Sequence, residues 1–118
     1  YPQGLRDLLI GIHKEYAEHG LPEIYITENG VAFPDKVEAG RVHDQNRINF
    51  VRLHLNAVAE AKAAGVNIHG YFYWSLMDNF EWNSGYLRFG LYYVDYATQQ
   101  RIPKDSALWY RDFVRLCG

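Results

Sequence analysis

The sequence predicts an α/β fold built on parallel strands. Three observations carry that prediction. Two stretches rich in β-branched and aromatic residues, one ending at Thr27-Glu28 and one from Asn67 to Leu76, read as strands. Long segments with apolar residues at helical spacing precede and separate them. The first strand is followed by a helical segment and no alternating return strand, and such a connection joins parallel neighbours through a right-handed crossover.

The elements follow in order. Leu5, Leu8, Leu9, Ile12 and Tyr16 give an opening helix one apolar face, and Gly20 and Pro22 end it. The run Ile24-Tyr25-Ile26-Thr27-Glu28-Asn29-Gly30 is a strand closed by a strong turn pair. A long helix runs from about Asp44, a suitable N-cap, to Gly65 at the C′ position. Its apolar positions Ile48, Val51, Leu55 and Val58, with Phe50, Leu53, Ala57 and Ala61, cover more than half its circumference. Such a stripe suits a helix pressed between a sheet and other helices. After the second strand comes an irregular aromatic loop, then a hairpin of Arg88–Asp95 and Arg101-Ile102 about Ala97-Thr98-Gln99-Gln100. A final helix spans roughly Asp105 to Leu116, with Trp109, Phe113 and Leu116 on one side. Two parallel strands can neither close a barrel nor cover their own edges, so the expectation is a piece of something larger.

Glu28 is the sharpest functional candidate. An acid before Asn-Gly is commonly a solvated turn residue, but the helix that follows argues against a hairpin here. A carboxylate at a strand's C-terminal tip stands where parallel sheets and barrels open onto their active sites. A second carboxylate, Glu81, lies among the rings of Tyr71-Phe72-Tyr73-Trp74 and Phe80-Glu81-Trp82. Paired acids among flat rings fit the cleavage of a sugar.

Composition removes several other classes. A chain of 118 residues holds one small domain, and a net charge of −2 makes no electrostatic case for nucleic acid or an anionic membrane. Cys117 is the only cysteine, so an internal disulfide is impossible; a partly buried thiol is expected. No stretch has the apolar length of a membrane span, the first residues do not read as a signal peptide, and a cytoplasmic protein is expected. The five histidines show no metal-ligand spacing, so neither metal nor cofactor is expected; His54, inside the apolar helix, is expected to be hydrogen-bonded there.

Ile24 to Gly30 and Gly70 to Asp95 resemble the last two strand-loop units of glycoside hydrolase family 1, the retaining β-glucosidases. Arg41-Val42-His43-Asp44, Val94-Asp95-Tyr96 and Pro103-Lys104-Asp105-Ser106 extend the resemblance along the chain. It implies the C-terminal quarter of a (β/α)8 TIM barrel, the last two strand-helix units plus the preceding helix, with residues 1–118 one segment of a single glycosidase domain. Glu28 matches the family's catalytic nucleophile. Trp74, Glu81 and Trp82 match positions that bind the non-reducing-end sugar, and Phe89 resembles an aromatic residue closing the same pocket. The resemblance also implies a cis peptide between Trp74 and Ser75.

A retaining glycosidase needs one ionised carboxylate to attack the anomeric carbon and one protonated carboxyl, about 5–5.5 Å away, to assist departure. Glu28 would attack; Glu81 would bind sugar hydroxyls through charge-assisted bonds. The family's general acid lies in a Thr-Asn-Glu-Pro-type segment that this sequence lacks, and between Tyr86 and Arg88 one residue stands where the family has two. The implied partners are a β-glucoside or related oligosaccharide and the N-terminal remainder of the barrel, on the same or another chain. The isolated chain is expected to be inactive. A non-catalytic carbohydrate-binding piece and a structural barrel fragment remain the alternatives.

Overall fold

Pro2 opens helix α1 (Pro2–Tyr16), where its missing N–H has no helical partner to lose. The computed structural model describes residues 1–117; Gly118 and the side chain of Cys117 lie outside the described residues, so the expectation for that thiol does too. A 3₁₀ turn (Ala17–His19) ends on Gly20 at φ 76°, a left-handed position that glycine adopts without steric cost. Then follow strand β1 (Ile24–Asn29), helix α2 (Gln45–Ala63), strand β2 (Ile68–Tyr73), short strands β3 (Tyr92–Val94) and β4 (Arg101–Pro103), and helix α3 (Asp105–Cys117). β1 and β2 pair in parallel, and β3 and β4 form an antiparallel hairpin, as the sequence predicts.

The main core lies between the parallel pair and helices α1 and α2. Leu9, Val58, Ala61, Val66 and Ile68 are buried together, with Leu5, Ile10, Ile24, Ile26 and Tyr71 packed against them. Ile24 and Ile26 therefore face the helices, as the strand's two-residue period requires. Helix α2 ends in a Schellman motif: Val66 N–H reaches Ala61 O at 3.2 Å, Gly65 N–H reaches Lys62 O at 3.0 Å, and Gly65 has φ 98°.

Several expectations need correction. Leu8 and Tyr16 of α1 and Leu53 of α2 are exposed, because the cluster draws on the neighbouring stripe through Leu5, Leu9 and Ile10. Leu116 is exposed as well, while Trp109 and Phe113 stack with ring centroids 5.5 Å apart. β2 is shorter than Asn67–Leu76, since Trp74 N–H makes the last contact with β1, at Asn29 O, 3.1 Å. β3 begins at Tyr92, not Arg88, because the preceding residues are bonded elsewhere: Phe89 O accepts Tyr73 Oη and Gly90 N–H donates to Asp78. Asp44 does sit at the N-cap of α2, yet its carboxylate does not cap the helix. It accepts from Arg47 and from the backbone and hydroxyl of Ser106. His54 Nδ1 donates to Phe50 O at 2.8 Å, inside the helix as expected.

Candidate active site

Strict alternation along β1 would turn Glu28 to the same side as Ile24 and Ile26, into the helices. It does not, because the strand carries an irregularity. Ile26 pairs with Tyr71 and Asn29 with Tyr73, so three steps on β1 oppose two on β2. An extra residue of this kind re-aims the side chains around it. Thr27 and Glu28 are both exposed, and Glu28 lines a cavity of about 490 Å³ with Trp74, Phe80, Glu81, Trp82 and Phe89. Asn79, Asn83 and Ser84 complete the lining. All five residues singled out in the sequence thus border one space.

The second strand delivers Trp74 to the rim just past its end. Gly30 allows this: a Cβ there would stand 1.7 Å from Trp74 O, so only glycine lets the turn after Glu28 lie against the backbone of Trp74. The Trp74–Ser75 peptide is cis, as the resemblance implies. Trp74 Nε1 donates to Glu81 Oε1 at 3.1 Å, which orients that carboxylate and leaves its second oxygen free of side-chain bonds among the described residues. Trp82 is 94% exposed and Phe80 is also exposed, so these rings are not packed into the core of this segment. Among the described residues, no side chain donates a hydrogen bond to Glu28, leaving its carboxylate available to a ligand.

The loop bearing Glu81 is held from beneath. Glu81 N–H bonds Gly85 O at 2.7 Å and Gly85 N–H returns to Glu81 O at 2.8 Å, closing a tight turn. Phe89 is fixed by its carbonyl, which accepts the Tyr73 hydroxyl at 2.8 Å. Burial pushes the Tyr73 phenol up to about 12, so it remains a donor at neutral pH. Below these contacts lies a set of groups that sequence reasoning missed. Asp78 is buried and accepts Arg88 Nη1 at 2.6 Å, Lys104 Nζ at 2.9 Å and Gly90 N–H at 2.9 Å. Lys104 also donates to Asp35 at 2.6 Å, and Asp35 takes a two-pronged bond from Arg47. Burial alone would lower the Arg47 pKa, but the bonds and field of Asp35 outweigh it and the pKa is raised. Arg47 at the head of the buried Val51–His54–Val58–Ala61 stripe was the available signal: a cation on such a face requires a buried anion.

Among the described residues no cluster of three histidine, cysteine, aspartate or glutamate side chains could hold a metal ion. No helix there is long and apolar enough to cross a membrane.

Comparison with known proteins agrees with this architecture. The chain is 51% identical over 117 residues to thermostable β-glucosidase B of Thermobispora bispora, covering 99% of this chain and 24% of that protein. It is 50% identical over 115 residues to 6-phospho-β-galactosidase of Staphylococcus aureus, covering 95% and 24%. The solved β-glucosidase from Thermotoga maritima in complex with deoxynojirimycin superposes with a TM-score of 0.93 at 51% identity, over 98% of this chain and 26% of that one. The chain therefore spans about a quarter of the length of these relatives, whose fold is a TIM barrel. The sequence model of glycosyl hydrolase family 1 matches residues 1–118, every position of the sequence, and this chain belongs to that family.

Proposed function

We propose that the chain is the C-terminal segment of a single TIM-barrel domain, a retaining β-glucosidase, and that Glu28 is its nucleophile. The observation that carries the reading is the shared cavity: an unencumbered strand-tip carboxylate faces a second carboxylate, Glu81, across a space bounded by Trp74, Trp82 and Phe89. In the reaction a Glu28 oxygen bonds to the anomeric carbon as the glycosidic C–O bond breaks. The departing oxygen takes a proton from a general acid contributed by the N-terminal remainder of the barrel, on the same or another chain. Water, deprotonated by the same acid group in its basic form, then displaces Glu28 as a carboxylate. Glu81 accepts bonds from sugar hydroxyls, Trp74 and Trp82 offer ring faces to the sugar's C–H surface, and Phe89 closes the pocket.

The lining also bears on which sugar is taken. Two of its described residues are carboxylates and none is lysine or arginine. This part of the wall offers a phosphorylated sugar no cation, which favours a neutral glycoside over a charged one.

The test uses the protein that contains this chain. A 2-fluoro-glucoside with a good leaving group should label Glu28, and Glu28→Gln should cut hydrolysis of an aryl β-glucoside by several orders of magnitude. Residues 1–118 expressed alone should give no hydrolysis, for want of the acid. Labelling at Glu81 would make Glu81 the nucleophile and overturn the role assignment, and near-normal turnover in Glu28→Gln would leave the segment a sugar-binding role.

A further inference from the structure

The proposed sugar contacts Glu81 and Phe89 sit on a loop with little apolar support. Trp82, Phe80 and Tyr86 are all exposed in this segment, so burial within it contributes little to the loop's shape. Arg88 supplies polar support. Its guanidinium donates to Asp78 Oδ2 at 2.6 Å and to Val94 O at 3.0 Å. It lies over the Tyr93 ring at 3.7 Å and the Tyr96 ring at 5.2 Å. Its carbonyl accepts Arg47 Nη2 at 2.8 Å and Phe33 N–H at 3.3 Å, the latter from the segment that follows Glu28. Tyr96 in turn packs on Tyr86, with centroids 4.8 Å apart, and Tyr86 meets Phe80 edge-on at 5.3 Å.

Asp78 precedes the loop and Arg88 closes it, so their ion pair pins the loop's two ends together. The carboxylate that receives Arg88 is itself held by Lys104 and by the N–H of Gly90, beside Phe89. We propose that Arg88, seated on Asp78, is a positioning residue: it sets where Glu81 and Phe89 stand relative to Glu28 without touching the sugar. The inference deepens, and rests on, the assignment of Glu81 and Phe89 to sugar binding. A displaced carboxylate costs binding steeply, because its bonds to hydroxyls depend on angle as well as distance.

The experiment compares Arg88→Met, Arg88→Lys and Val58→Ala in the protein containing this chain, each also in a Glu81→Gln background. Val58 lies in the main core away from the loop, so its truncation supplies a loss of stability unrelated to the cavity. Arg88→Met should lower kcat/KM for an aryl β-glucoside roughly ten- to hundredfold, and weaken binding of deoxynojirimycin by a similar factor. Arg88→Lys should recover part of both through the retained charge on Asp78. In the Glu81→Gln background the Arg88→Met effect should shrink to roughly threefold or less, since the group being positioned is already impaired. Val58→Ala should lower Tm and leave kcat/KM unchanged. Fully additive Arg88 and Glu81 effects, or a fall in Tm with unchanged kcat/KM for Arg88→Met, would overturn the proposal. Labelling of Glu28 by the fluoro-glucoside is read in the unaltered protein first. Its absence there would count against the enzymatic reading, a result distinct from additivity among the variants.

Discussion

Replacing Lys104 with Met removes a charge while keeping most of the side chain's volume, which isolates the electrostatic part of its role. The ammonium is 0% exposed and stands 2.6 Å from Asp35 and 2.9 Å from Asp78. The set holds three cations, buried Arg47 and Lys104 and half-buried Arg88, against three buried carboxylate groups, Asp35, Asp44 and Asp78. Without Lys104 one negative charge is left uncompensated. Breaking a buried pair on one side costs about 3–5 kcal/mol. Both carboxylates keep other partners, Asp35 the Arg47 fork and Asp78 the Arg88 guanidinium and Gly90 N–H, which places the loss near the lower end, about 3 kcal/mol. Against a usual total of about 5–15 kcal/mol, that is a large fraction. The assay is urea unfolding of the protein containing this chain, with the slope checked for constancy. Adding Asp78→Asn restores charge balance, so the double variant should lose less than the sum of the two singles. Both effects should persist at 1 M salt, because buried pairs are poorly screened. A loss below about 1 kcal/mol, or strict additivity, would refute the reasoning.

Gly30→Ala should destabilise the protein by about 1–3 kcal/mol and weaken deoxynojirimycin binding, since a Cβ 1.7 Å from Trp74 O forces the turn after Glu28 away from Trp74. A variant with wild-type Tm and inhibitor affinity would show that the turn relaxes freely. Asp95 accepts the N–H groups of Ala97 at 2.9 Å and Thr98 at 3.3 Å, which hold its pKa below the ordinary 3.8. A carboxyl depressed in the folded state adds stability above its unfolded pKa and loses it as pH falls through the folded value. NMR titration should therefore find Asp95 ionised below pH 3.8, and a value at or above that would remove the turn's claim on this side chain.

The sequence made the local chemistry readable and left the long-range chemistry hidden. Ile24-Tyr25-Ile26 before Asn-Gly announces a strand and its turn because both signals lie within seven residues. The Gly65 helix end and the turn between Asp95 and Gln100 were legible for the same reason. The bulge before Asn29 was not, since it exists only in the pairing of β1 with β2 and no residue type marks it. Lys104 belongs to a run that carries the resemblance, but nothing local marks its partners, which lie 69 and 26 positions away. Leu8 and Leu53 read as core because spacing defines a face without saying what covers it.

Two kinds of cohesion therefore meet at the candidate site, and they should fail differently. The pairing of β1 and β2 rests on apolar packing against α1 and α2, which fixes the end from which Glu28 and Trp74 project. The loops beyond those ends bury little apolar surface within this segment; ion pairs and backbone bonds to Asp78, Arg88 and Tyr73 hold them. Apolar burial is non-directional, so a core substitution such as Val58→Ala loosens the whole without moving Glu81 relative to Glu28. Hydrogen bonds to a buried carboxylate are directional, so losing one shifts a particular loop by a particular amount. A cavity that grips a sugar through a few angled bonds needs the second kind of support at its rim. That requirement gives a physical reason to set six charges, five of them buried, beneath so small a loop, where an apolar core would be simpler to build.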